Sequence, residues 1–167
     1  MSAVEWKSLS RKHLFDRIRA ILSYQFNQKF AQVFLAPFQD MKIKFSRRTG
    51  KIKYLFLKSE LQGVYLPRLG TFAISLYAAR RIYKKLSPPR FRVQVLTDIS
   101  KFIKDGKSVF AKHVVNIDKK LRIGKQCFVV DQQDNLLAIG KLQIPPRYIG
   151  HLKNGVAVDV KKGIDKI

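Results

Sequence analysis

Apolar residues recur at helical spacing at Leu14, Ile18, Ile21, Leu22 and Phe26, with Arg11, Arg17 and Arg19 off the stripe. The pattern predicts an amphipathic helix that Ser10 is suited to cap. It resumes through Phe30, Val33 and Phe34 until Pro37 stops it, so the first element is one long or broken helix over about 11–35. The period then drops to two. Met41, Ile43 and Phe45 alternate with Lys42 and Lys44, a half-buried strand with a basic outer face. Ser46-Arg47-Arg48-Thr49-Gly50-Lys51 turns the chain, and Ile52 to Leu57 reads as the returning strand. A third strand is expected over 62–66, punctuated by Pro67 and Gly70. A helix over about 75–86 follows, capped by Ser75 and ending in Arg80, Arg81, Lys84 and Lys85, cations suited to a helix C-terminus.

Ser87-Pro88-Pro89 is the best boundary in the chain, because paired prolines stop a helix and stiffen a short connection. Two domains are therefore expected, 1–88 and 89–167. Beyond the prolines Phe91, Val93 and Val95 alternate as a strand, and Asp98 can cap a short helix to Lys104. From Gly106 to Val115 a turn-forming glycine leads into alternating apolar and basic residues. Val109, Ala111 and Val114 can face a core, while Lys107 and Lys112 stay in solvent. Apolar strands from Cys127 to Val130 and up to Gly140, a helical turn led by Pro145-Pro146 and a last strand over 156–160 complete the pattern. Several short strands at close spacing suggest a small barrel, and the class is α+β.

Charge adds what patterning cannot. The 167 residues include 34 Lys+Arg against 11 Asp+Glu, a formal net charge of +23. A domain this basic normally meets a polyanion, nucleic acid above all. The charge is spread: 1–90 hold 19 basic and 4 acidic residues, and 91–167 hold 15 and 7. A membrane surface is the competing polyanion, but the longest nearly apolar run, 72–79, falls far short of the ~20 residues that a span needs. The start of the chain, with Trp6, Arg11 and Lys12 ahead of a helical pattern, does not look like a signal peptide. The single cysteine, Cys127, excludes an intramolecular disulfide framework and fits a reducing, cytoplasmic setting. Flanked by Phe128, Val129 and Val130, it reads as a buried inert thiol. His13, His113 and His151 are too scattered for a metal site or a triad, and no carboxylate pair suits acid–base work. Neither cofactor nor metal is expected.

Three basic clusters are candidates for phosphate contact. Arg47, Arg48, Lys51 and Lys53 sit on one hairpin tip and its returning strand, with no acid between Met41 and Lys58. Arg80 and Arg81, with Lys84 and Lys85, form the second, where stabilisation of a helix end is an equally good account. Lys107 and Lys112 form the third, beside Gly106, a position for φ > 0 or a close backbone approach. Phe110 either packs in the barrel or stacks on a base; packing is the slightly better reading.

The order of elements around Gly106-Lys-Ser-Val-Phe-Ala-Lys-His-Val114, with the later Leu-Leu-Ala-Ile-Gly-Lys141, resembles a PUA domain, a small β-rich RNA-binding module. The form of the motif is close to the variant in archaeal tRNA-guanine transglycosylases. Tyr24-Gln25-Phe26, then Arg47-Arg48-Thr49-Gly50-Lys51-Ile52, then Gly70-Thr-Phe-Ala-Ile-Ser75 occur in an order similar to the α+β domain that precedes PUA in that family. Leu69 and Ile144-Pro145-Pro146-Arg147 depart from the family's pattern. The resemblance implies binding of a tRNA acceptor stem by Gly106, Lys107, Ser108, Phe110, Lys112 and His113, with Lys161 and Lys162 extending that face. It further implies a detached, non-catalytic half that works with a separate catalytic subunit in archaeosine formation. The family's barrel of about 250 residues and its three-Cys, one-His zinc site do not fit in this sequence. The apolar stripe of the first helix and Trp6 are then candidates for the docking surface. A ribosome-assembly or translation factor on rRNA is the rival reading, and a subunit of the later archaeosine synthase step a third.

Overall fold

A computed structural model describes residues 6 and 8–166. The chain divides into two compact units, Met1–Lys85 and Leu86–Ile167.

In the first unit, α1 (Arg11–Gln25) begins where Ser10 accepts a hydrogen bond from the His13 N–H, and it buries Leu14, Phe15, Ile18 and Leu22. The helix breaks after Phe26. Asn27 caps a second helix, α2 (Gln28–Phe34), its Oδ1 accepting from the Phe30 N–H at 2.7 Å. The helical pattern thus runs through a break that a capping Asn marks. Arg11, off the stripe, reaches back to the 310 turn Phe38–Asp40: its Nη2 donates to the carbonyls of Phe38, Gln39 and Met41. Trp6 and the stripe residues Leu14, Ile18 and Leu22 are buried in the unit, with Ile21 and Phe26 half-buried. Trp6 is 6% exposed, its ring 5.9 Å from that of Tyr65 and under the Arg17 guanidinium. The expectation that they form a docking surface is corrected: they are core.

Four strands form an antiparallel meander, β1 (Met41–Phe45), β2 (Ile52–Leu57), β3 (Glu60–Leu66) and β4 (Thr71–Ile74), in spatial order β1-β2-β3-β4. β4 hides in the sequence because its four residues merge with the apolar start of the next helix. Its exposed edge is closed by α1: the Gln25 side chain accepts from the Phe72 N–H (2.8 Å) and donates to the Phe72 carbonyl (2.7 Å). That pair stands in for a neighbouring strand. Ser75 caps α3 (Leu76–Ile82), which ends in the 310 turn Tyr83–Lys85. Register places Leu55, Gly63 and Ile74 on one face of the sheet, where Phe34 of α2 lies 3.8 Å from the position that a Gly63 Cβ would take.

The second unit is a six-stranded mixed sheet in the order β6-β10-β9-β8-β5-β7. The strands are β5 (Arg92–Val95), β6 (Val109–Phe110), β7 (Val114–Ile117), β8 (Gln126–Val130), β9 (Leu136–Leu142) and β10 (Val156–Gly163). Only β5 and β8 pair in parallel among the described residues. The two edge strands, β6 and β7, are neighbours in sequence, joined by the 310 turn Ala111–His113. A chain that steps straight from one edge to the other must curl the sheet, and the result is a nearly closed pseudo-barrel. Val93, Val95, Val109, Val129, Leu137 and Val158 are fully buried inside it. Helix α4 (Ser100–Lys104) carries no side-chain cap. Asp98 lies instead in the preceding 310 turn Thr97–Ile99, whose Thr97 N–H donates to the Gln132 side chain. A short α5 (Pro146–Ile149) completes the unit.

Two acids of this unit, buried Asp118 and half-buried Asp134, are committed to its arginines. Asp118 accepts from Arg90, from the Phe91 N–H (2.8 Å) and from the Lys120 N–H (2.9 Å). Asp134 takes a bidentate pair from Arg92, at 2.6 and 3.2 Å. Both carboxylates sit against their own cations, so they subtract little from the positive field outside.

Candidate nucleic-acid interface

In the first unit the hairpin between β1 and β2 closes through backbone bonds Ser46 N–H to Lys51 carbonyl (2.8 Å) and Gly50 N–H to Ser46 carbonyl (2.9 Å). Arg47 and Arg48 stand exposed at its tip, Lys53 is exposed on β2, and Lys51 is half-buried. A bulge makes Lys53 the extra residue between Ile52, opposite Phe45, and Tyr54, opposite Lys44. The bulge turns Lys53 outward beside Tyr54, its Nζ 4.9 Å from the ring centroid. A groove of about 670 Å³ opens here, lined by Lys44, Arg47, Arg48, Lys53, Tyr54, the end of β3 from Val64 and the following Pro67. Four cations and no carboxylate line it. Lys44 joins the cluster only in three dimensions, its partner across the hairpin being Tyr54.

Arg80 and Arg81, grouped by the sequence, part company. Arg80 is exposed. Arg81 donates from Nε to Gln62 Oε1 (3.1 Å), from Nη2 to the Phe34 carbonyl (2.9 Å) and from Nη1 to the Val33 carbonyl (3.5 Å). These are carbonyls that the C-terminus of α2 leaves without helical partners. Burial lowers the Arg81 pKa from its ordinary value. Arg81 is a fastener of the fold, so it leaves the candidate set as a correction. Sequence spacing cannot see the α2 carbonyls it serves.

In the second unit Gly106 ends α4 with φ +86°, the left-handed region that glycine adopts at no cost. Its N–H donates to the Ile103 carbonyl and the Lys107 N–H to that of Phe102. The close approach is made by a different glycine: a Cβ on Gly163 would lie 2.0 Å from the Lys104 carbonyl oxygen. Lys166 passes beside Gly106, its Cδ 3.7 Å from the position of a Cβ there. Lys107 and Lys112 are exposed, Ser108 and His113 half-buried, and Val109 and Ala111 buried. Phe110 is 48% exposed, opposite Val156 of β10. It does not pack inside the barrel, because Val109 and Ala111 already take the inward positions on either side. Lys161 is the extra residue of a bulge in β10, exposed and paired with Asp159. A second groove, about 480 Å³, runs between β7 and α5 and is lined by Val115, Asn116, Lys119, Arg147 and Ile149 among others. Lys119 and Arg147 carry no signal in the sequence except their charge; only the curl of the barrel brings them together.

Reactive chemistry is scarce. Cys127 is 2% exposed, and burial pushes its thiol up to about 12, far from the thiolate that a nucleophile or metal ligand needs. Among the described residues no three His, Cys, Asp or Glu side chains gather to hold a metal ion. Nor is any helix among them long and apolar enough to cross a membrane.

Comparison with known proteins accounts for both halves. Residues 16–89 match the patch-forming domain C2 of tRNA-guanine transglycosylase, and residues 91–164 match the PUA domain. The chain is 32% identical over 148 residues to the tRNA-guanine(15) transglycosylase of Methanothermobacter thermautotrophicus, which covers 89% of this chain and 22% of that enzyme. It is 28% identical over 156 residues to that of Thermococcus onnurineus, with 93% and 26% covered. The chain thus spans about a quarter of the length of these relatives. A solved structure of a hypothetical protein of Pyrococcus horikoshii shares the fold over 93% of this chain and 92% of its own, with a TM-score of 0.70 at 21% identity. A conserved PUA domain protein of Thermoplasma acidophilum does so over 93% and 91%, with a TM-score of 0.62 at 17% identity. The basic hairpin groove and the Gly106 turn therefore lie on two recognised modules, a C2 domain and a PUA domain, and together these are similar to the C-terminal region of the archaeal tRNA-guanine transglycosylases.

Proposed function

We propose that this chain grips tRNA for a transglycosylase reaction whose base exchange is carried out by catalytic groups on a separate subunit. The observation that carries the reading is the groove of four cations without a carboxylate on the C2 domain, in a chain whose other half is a PUA domain. Phosphate contacts fix register and orientation on a nucleic acid without reading sequence. Lys44, Arg47, Arg48 and Lys53 are placed to supply them on one unit. Lys107, Lys112, Lys119 and Arg147, together with Phe110, do so on the other, against an acceptor stem and its single-stranded end. Catalysis then gains through positioning: a tRNA held at two modules presents its D-arm at a fixed place, and the effective concentration of the target base rises. That the similar proteins are tRNA-guanine(15) transglycosylases supports that substrate, and archaeosine formation in the cytoplasm is the setting it implies.

The test is capture of the tagged chain from its native cells with identification of the bound RNA and protein. Recovery of tRNA together with a transglycosylase polypeptide is expected. Recovery of pre-ribosomal particles without tRNA would refute the reading and favour an rRNA factor.

A further inference from the structure

We infer that the open face of the C2 sheet stacks an unpaired RNA base on Tyr54 and Phe56. This rests on the RNA-binding reading above and adds to it a second kind of contact, made to a base and not to phosphate. The helices cover one face of the sheet, where Leu55 and Ile74 are buried. Register puts Lys44, Tyr54, Val64 and Ala73 in one row on the opposite face, with Lys42 and Phe56 in the next. The Tyr54 and Phe56 rings are neighbours on that face, with centroids 6.1 Å apart, tilted by 59° and partly solvent-exposed.

Each ring carries a lysine. The Lys44 Nζ stands 4.8 Å from the Phe56 centroid and the Lys53 Nζ 4.9 Å from that of Tyr54. Both lysines can swing off a ring to a phosphate, leaving a π face free for a base whose backbone they hold. The groove with Arg47 and Arg48 begins at Tyr54, so a strand laid along the cations brings its bases over the rings. Flat apolar rings among cations, with no acid from Met41 to Lys58, suit a single strand, since stacking on aromatic side chains needs bases that are not already stacked in a duplex. The occupant is therefore an unpaired stretch of RNA, and a protein partner on this face is the outcome that would displace it.

The experiment measures binding of the full chain to a twelve-nucleotide oligouridylate and to a twelve-base-pair RNA duplex by fluorescence anisotropy. Tyr54→Leu and Phe56→Leu are expected to weaken oligouridylate binding about tenfold or more each. Duplex affinity should stay the same, as should the salt dependence of both, and Tyr54→Phe should bind like the wild type. Photocrosslinking of wild-type protein to a 5-bromouridine form of the oligonucleotide should label the Tyr54–Phe56 stretch, a readout that needs no variant to fold. Equal losses on duplex and single strand, no loss on the single strand, or crosslinks confined to other segments would each overturn the inference. Wild-type protein that binds tRNA and duplex but not oligouridylate would sink this inference alone. Failure to bind any RNA would sink the proposed function with it.

Discussion

Replacing Lys44, Arg47, Arg48 and Lys53 together by alanine tests the hairpin groove in numbers. Each phosphate neutralised by a cation contributes about 0.7 to the slope of log affinity against log salt on a single strand. Four contacts give a slope change of about 2.8. Between about 0.05 and 0.2 M salt, a fourfold change, that slope amounts to about 50-fold in affinity. The wild type should therefore lose about 50-fold more affinity for tRNA across this range than the variant does. Stability should fall little, because Arg47, Arg48 and Lys53 are exposed and the two lysine–ring contacts contribute about 0.5–1 kcal/mol each at such sites. Anisotropy titrations of labelled tRNA at four salt concentrations read the slopes, and circular dichroism checks the fold. A variant with the wild-type slope would show that tRNA does not lie in this groove.

Three further outcomes follow from the packing. Arg81→Met should destabilise by about 2 kcal/mol in urea denaturation, through three lost hydrogen bonds to Gln62 and to the α2 carbonyls, while leaving the salt slope of tRNA binding unchanged. Asp118→Ala strips the buried Phe91 N–H, the Lys120 N–H and Arg90 of their acceptor and should cost about 3 kcal/mol by the same assay, a figure that allows for the partial exposure of Arg90. Cys127 binds its proton more tightly folded than unfolded, with its pKa raised from 9.0 to about 12. Its contribution to stability is thus whole below pH 9 and is lost as pH rises from there toward 12, by about 1.4 kcal/mol per pH unit. The difference in denaturation midpoint between wild type and Cys127→Ala should shift over that window; an unchanged difference from pH 8 to pH 11 would contradict the buried thiol.

Where period and punctuation agree, the elements stand where the sequence predicts. Alternation between Met41 and Phe45 and the turn at Gly50 mark a hairpin whose two strands form as read. β4 was hidden because Phe72 and Ile74, its buried residues, run without a break into the buried start of α3. The break at Asn27 left no mark in the hydrophobic period, since Phe26 and Phe30 stack across it at 3.9 Å and keep the stripe continuous. Candidate-site residues were legible where charge and exposure go together, as at Arg47, Arg48, Lys107 and Lys112. They were not where long-range geometry decides. Arg81 has the same charge and neighbourhood as Arg80, yet the C-terminus of α2 claims it. Lys44 reads as one more outward lysine until register sets it beside Tyr54, and Lys119 and Arg147, 28 positions apart, meet only because β7 closes the barrel beside α5. Phe110 alternates with apolar neighbours as a core residue would, but the two-residue β6 and the 310 turn after it leave its ring half in solvent.

The central claim is that the chain holds tRNA for base exchange performed elsewhere. Guanine exchange into tRNA by a transglycosylase catalytic subunit without C2 and PUA domains, measured with labelled base and with this chain titrated in, tests it most directly. The account predicts a lower KM for tRNA as the chain is added, an effect abolished by the Lys44, Arg47, Arg48 and Lys53 alanine variant. An exchange rate indifferent to the chain at concentrations that saturate tRNA would contradict it.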